Sequence, residues 1–241
     1  MWNTLLPNFS RSWFEMSASD AVIVRAALEG DLTWRRDEVR QLRNLQSSSA
    51  EGGVRDSLRR ALLVMLYAHV EGYAKFSLEQ YVDVINRANL QVSQVKWEIG
   101  AACLAEKFKN YRSSDPSDPA DPTSTKAKQV LKDANFLAHL LEIQGKDIFL
   151  EADHVTSADS NLSPSVLRRN LRLLALDESG VHKFTSALDG LLKLRNNIAH
   201  GERLNLPSDP SFLKLEERIF ALCDQLTLIV YQAVRDDLFR R

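Results

Sequence analysis

The chain has 241 residues, 44% hydrophobic and 26% charged, with a formal net charge of -1. That length supports one substantial core, and the near-neutral balance excludes binding of nucleic acid by bulk charge, leaving such binding to a local basic patch. Nine glycines, seven prolines and aliphatic residues recurring at helical spacing imply an all-α protein, expected here as a single domain over 1–241. Cys103 and Cys223 make neither a zinc spacing nor a disulfide framework, which fits a reducing, cytoplasmic setting. The N-terminal stretch MWNTLLPNFSRSWF lacks the charge and sustained apolar run of a signal peptide, and no stretch has the length of a membrane span.

A first helix is expected over 20–46, capped by Ser19 or Asp20, with Val22, Ala26, Val39 and Leu42 on its apolar side. After SSSAEGG, the longest helical signal runs from Val54 to Ala88, with Leu63, Leu66, Tyr67, Val70, Tyr73, Ala74, Leu78, Tyr81 and Ile85 on one stripe. A second stripe of Leu62, Met65, His69 and Phe76 marks this helix as central and is compatible with a homodimer interface. Residues 95–111 read as helical. The following SSDPSDPADPTST, 113–125, repeats Asp-Pro three times and reads as an exposed, mobile loop. Shorter amphipathic helices are expected over 126–144 and 164–176, separated by an irregular segment or short strand. A helix from Val181 to His200 precedes a last one opened by Asp209 as cap and Pro210 as first helical residue, and the two pack antiparallel.

On the 181–200 helix, Phe184, Leu188, Leu191, Leu192, Ile198 and Ala199 define the apolar face, and Arg195 projects near its middle. A guanidinium there must meet a carboxylate, with Glu71 of the central helix as candidate, or line a wet cleft. Asn196 and His200, four residues apart, share a neighbouring side of the helix. The bland alternative makes His200 a C-terminal residue favoured by the helix dipole, with Gly201 as left-handed cap. His69 reads as a core or interface histidine, and His139, His154 and His182 have no partners at metal spacing. No Walker loop or dinucleotide fingerprint occurs, so neither a metal nor a cofactor is expected.

The run Arg195-Asn196-Asn197-Ile198-Ala199-His200 resembles the Arg-x4-6-His signature of the HEPN superfamily, in its form with Asn after Arg. The upstream stretch RRALLVMLYAHVEGYAKFSLEQYV, 59–82, is similar to the second element of that family, and the pairing looks most like the MAE-type and RiboL-PSP-associated branches. The resemblance implies an up-and-down helical bundle with extra helices, dimerising so that two Arg-His motifs converge on one cleft. It also implies a metal-independent endoribonuclease, commonly a toxin of a toxin-antitoxin pair or an effector of phage defence. By motif position Arg195 stabilises phosphate, His200 moves protons and Asn196 orients phosphate or imidazole. Glu71 supports Arg195 or His200, and Lys75 is an ion-pair partner or an RNA contact. Some relatives carry tyrosine two positions after the histidine, where a nucleotidyltransferase antitoxin modifies them; here Glu202 stands there, which argues against that form of neutralisation.

The residue types suit that chemistry independently. An imidazole accepts a proton from a ribose 2'-hydroxyl or returns one to a leaving oxygen, and a guanidinium stabilises charge on phosphorus. Around the motif Arg168, Arg169, Arg172, Lys183, Lys193 and Arg203 outnumber Asp177, Glu178, Asp189 and Glu202, a local excess suited to RNA. The rival expectation is a non-catalytic module or regulatory subunit that binds RNA or protein through the same surface.

Overall fold

The structure, a computed structural model, describes residues 9–113, 124–158, 161–202 and 205–241, with the side chains of 9–18, 124 and 125 left aside. Among these residues there are nine α-helices and no strand. Helices α1 (Phe9–Ser48), α2 (Gly53–Arg87), α8 (Thr185–Ala199) and α9 (Asp209–Arg235) make the core bundle. The segment between α2 and α8 carries α3 (Trp97–Cys103), α4 (Ala105–Ser113), α5 (Ser124–Ile143), α6 (Ala152–Thr156) and α7 (Pro164–Leu173). Residues 114–123, most of the expected Asp-Pro-rich loop, lie outside the described residues, and Ser113 and Ser124 belong to the flanking helices.

The expected stripe of α2 is buried throughout, from Leu63 to Ile85, because α1, α8 and α9 all pack on this helix. Its second stripe is buried in part. Leu62 is buried, and His69 meets the edge of Trp34 with its Nε2 2.9 Å from the Glu38 carboxylate, both on α1. Burial lowers the pKa of His69 despite Glu38. Met65 and Phe76 of the same stripe stay partly exposed.

On α1 the buried set is Ala21, Val24, Leu28, Leu32 and Val39, whereas Val22 is exposed and Ala26 lies on the solvent side. Val39 is buried and Leu42 packs against the core as expected, but in the first turns the seam runs from Ala21 at spacings of three and four, which corrects the expected Val22 and Ala26. Helix α9 buries Phe212, Ile219, Leu222, Cys223, Leu226, Ile229, Val230 and Ala233 as its periodicity requires. Its cap differs from expectation: Ser208 occupies the cap position and Asp209 is already helical. The Asp209 carboxylate turns instead to Arg55, at 2.7 Å, and to Arg59, since two guanidinium donors outcompete a backbone amide.

The expected helix from Val181 begins as a 3-10 turn, Ser179–Phe184, before α8. The stretch 95–111 is split between α3 and α4 at Leu104. The uncertain region after α5 forms α6, tied to α2 by the Asn86 side chain, which donates to the Leu150 carbonyl at 3.0 Å and accepts from its amide at 2.9 Å. One isolated antiparallel bridge, Gln91 with Asp147, adds to this attachment in place of a strand, and a second joins Val95 to Arg240 near the C-terminus.

Tyr81 is fully buried edge-to-face on Phe239, and its hydroxyl has no hydrogen-bond partner among the described residues. Tyr81→Phe should therefore leave stability unchanged or raise it by up to about 1 kcal/mol, because a desolvated, unpaired hydroxyl is removed. Thermal unfolding of the two proteins checks this.

Candidate functional site

Helix α8 places the Arg195 guanidinium on the face of Tyr67 from α2, with the guanidinium carbon 4.7 Å from the ring centre. Leu188 and Leu191 anchor the preceding turns in the core, so the half-buried Arg195 emerges where the bundle meets the segment joining α6 and α7. Its Nη1 donates to Asn161 Oδ1 at 2.6 Å and to Asn196 Oδ1 at 2.8 Å. No carboxylate pairs with Arg195 among the described residues. Both hydrogens of Nη1 are thus spent on neutral oxygens, while the edge formed by Nε and Nη2 keeps its donors.

Glu71, the expected counter-ion, does something else. Its Oε1 accepts the Tyr67 hydroxyl at 3.1 Å and the backbone N–H of Leu162 at 2.9 Å. Burial, reinforced by the adjacent Glu71 carboxylate, pushes the Tyr67 phenol well above its ordinary pKa and keeps it a neutral donor. Glu71 therefore pins the backbone beside Asn161, and Asn161 in turn holds Arg195. The far end of the same segment is fixed by Asn170 Nδ2, which donates to the Ser157 carbonyl at 3.0 Å. Ser163 caps α7 by accepting from the Val166 amide at 3.2 Å.

His200 sits at the C-terminal cap of α8 with its side chain exposed. Gly201, at φ 77, ends the helix in the left-handed region: its N–H donates to the Ile198 carbonyl at 3.0 Å, and Glu202 N–H to that of Asn197 at 2.9 Å. Arg60 of α2 clamps this turn by donating from Nη1 to the Glu202 carbonyl at 3.0 Å. Backbone groups make the whole cap, so the imidazole is fixed at its root and has no hydrogen-bonding side chain upon it among the described residues. His200 lies about 7.5 Å along the axis from Arg195, by the helical rise.

The structure thus brings Arg195 and Asn196 into direct contact, sets His200 at the exposed end of the same helix and joins Glu71 through the backbone of Leu162. Asn196 contacts the arginine and not the imidazole. Lys75 is not brought to Arg195. Its ammonium lies 2.8 Å from Asp153 on α6 and 3.6 Å from Glu79, and the hydrogen bond to Asp153 raises its pKa. Of the surrounding cations, Arg172 pairs with Glu178 and Lys193 with Asp189 at 2.8 Å, while Arg203 lies outside the described residues. Among the described residues no group of three or more His, Cys, Asp or Glu side chains is arranged for a metal ion, and no helix is long and apolar enough to cross a membrane.

Sequence reasoning did not find Tyr67, Asn161 or Arg60 as parts of this site. Tyr67 was assigned to the core stripe, Asn161 lies in a segment without periodicity, and Arg60 is one of several arginines at the start of α2. Glu71→Ala should free the Asn161 segment and lower any Arg195-dependent activity about tenfold, at a stability cost of about 1–3 kcal/mol from the unpaired amide and phenol. Glu71→Gln, which keeps an accepting oxygen, should retain most of both; activity and melting measured on the same preparations check the pair.

A model of the MAE_28990-like HEPN family matches residues 24–239, most of the chain, and the chain belongs to that family. Neither the curated proteins nor the solved structures contain a significant match.

Proposed function

We propose that this protein is a metal-independent endoribonuclease in which Arg195 binds the scissile phosphate and His200 transfers protons. The observation that carries the reading is the state of Arg195, a half-buried guanidinium held through Nη1 by two amide oxygens, with no carboxylate partner and an unspent Nε/Nη2 edge among the described residues. A planar fork of this kind matches two phosphate oxygens, and desolvation against Tyr67 strengthens the attraction. A guanidinium needed only for stability gains most from a carboxylate, and the described residues supply none.

In the proposed reaction the 2'-hydroxyl loses its proton to an imidazole and its oxygen attacks the adjacent phosphorus. The P–O5' bond breaks, and the leaving oxygen takes a proton from an imidazolium. The products are a 2',3'-cyclic phosphate and a 5'-hydroxyl. Arg195 stabilises the equatorial oxygens as charge accumulates, and the Asn196 amide nitrogen adds a neutral donor. One motif histidine per chain suits a homodimeric cleft, in which one His200 serves as base and the other as acid. The biological setting that follows is a cytoplasmic toxin of a toxin-antitoxin pair or an effector of phage defence, held in check by an antitoxin or immunity partner that does not use a tyrosine at position 202.

A matched pair of oligonucleotides tests the chemistry: the purified protein should cut an RNA and spare the same sequence made as DNA, which lacks the attacking hydroxyl. Equal cutting of both would overturn the proposal.

A further inference from the structure

Arg60 shares the state of Arg195 at the other end of one edge of the bundle. Its Nη1 donates to the Glu202 carbonyl at 3.0 Å, and no carboxylate pairs with it among the described residues. Its neighbours on the first turns of α2 differ, because Arg55 and Arg59 are both paired with Asp209. A half-buried guanidinium held through one nitrogen by a neutral oxygen keeps the donors of its other edge. Two contacts set the arrangement. Tyr67 of α2 meets Arg195 of α8, and Arg60, two turns earlier on α2, meets Glu202 just past the end of α8. The two helices therefore run antiparallel, and positions 60, 64 and 67 share the face of α2 that borders α8. Seven residues of helix set the two contacts about 10 Å apart along the axis, with His200 rooted in the α8 turn between Arg195 and Glu202.

We infer that Arg60 binds a phosphate flanking the scissile one, so that this edge takes an RNA strand of at least three nucleotides, laid from Arg195 past His200 to Arg60. The inference rests on the nuclease reading for which phosphate is cut. Each guanidinium is pinned at its own end, Arg195 by two amide oxygens and Arg60 by the Glu202 carbonyl, so the two do not hold one phosphate together. With no carboxylate to displace, a phosphate meets donors already in place at both ends. Val64, one turn from each contact and 37% exposed, leaves an apolar step between them. Contacts of this kind fix the register of the strand and carry no base preference.

The test reads binding apart from cutting. A fluorescent RNA hexamer is titrated with His200→Ala protein across a salt series, and Arg60→Gln and Arg195→Gln are added to that protein singly and together. Glutamine keeps an N–H donor for the Glu202 carbonyl and removes the charge, and melting of each variant controls for folding. Arg60→Gln should weaken binding about tenfold at low salt and lower the slope of log Kd against log salt by about 0.7, the value for one phosphate of a single strand. Arg195→Gln should remove a like amount, and the pair about 1.4, because contacts to separate phosphates add. A clamp that served only the cap would change affinity without the slope. An unchanged slope in Arg60→Gln, a double variant whose slope falls no further than that of either single one, or no binding of RNA would each overturn the inference. Cutting by the protein with His200 intact is scored in parallel, and its absence would overturn the nuclease reading while the slopes still decide the second phosphate.

Discussion

His200→Ala is expected to lower RNA cleavage by about 10^2–10^4-fold, the range for removing a general acid or base, while leaving the fold intact. The cap of α8 is made by the backbone groups of Ile198, Asn197, Gly201 and Glu202, clamped by Arg60, and the exposed imidazole contributes no hydrogen bond to it. Stability should therefore change by no more than about 0.5 kcal/mol, as for other surface positions. The combination separates the two roles open to a histidine at this place. A helix-end histidine that matters only through the dipole lowers melting when removed and leaves chemistry alone. Unchanged melting with lost cleavage assigns the imidazole to the reaction.

The second large effect is expected at Arg195, where activity and stability fall together. Arg195→Ala removes the cation from the face of Tyr67 and both hydrogen bonds to Asn161 and Asn196, at a cost of about 1–3 kcal/mol. Cleavage should fall about 10^2–10^3-fold beyond any loss of folded protein, the magnitude of losing a preorganised charge donor. Arg195→Lys sharpens the argument. An ammonium keeps the charge and part of the stacking but has no planar fork, so melting should recover more than kcat does. Single-turnover cleavage beside thermal melting for the three proteins checks this, and full activity in Arg195→Lys would contradict bidentate phosphate binding.

The core of this bundle was legible because its helices repeat apolar residues at three and four: every member of the main stripe from Leu63 to Ile85 is buried. The same periodicity placed Arg195 in an apolar face and so singled it out, as a short pattern on a helix of known phase can. Its partners were not legible. Asn161 reaches Arg195 across 34 positions from a segment with no repeating pattern, and Glu71 acts through the backbone amide of Leu162, a contact no side-chain pattern encodes. The error on α1 has a different origin. Ala21 and Val22 are adjacent and both apolar, and only packing against α2 and α9 decides which of the two seams is buried. On the second stripe of α2, periodicity could not tell that His69 is met by Trp34 and Glu38 of α1 while Met65 and Phe76 stay partly exposed. A helix expected between 126 and 144 was found, as Ser124–Ile143, but that it stacks on α4 was not legible.

The central claim is that the Arg195–His200 edge cleaves RNA by attack of the 2'-hydroxyl without a metal ion. Its most direct test is to incubate wild-type and His200→Ala protein with RNA in EDTA and to map the ends of the products. The wild type alone should cut, leaving 2',3'-cyclic phosphate and 5'-hydroxyl ends. Cuts that vanish in EDTA, that carry 5'-phosphate, or that persist in His200→Ala would contradict it.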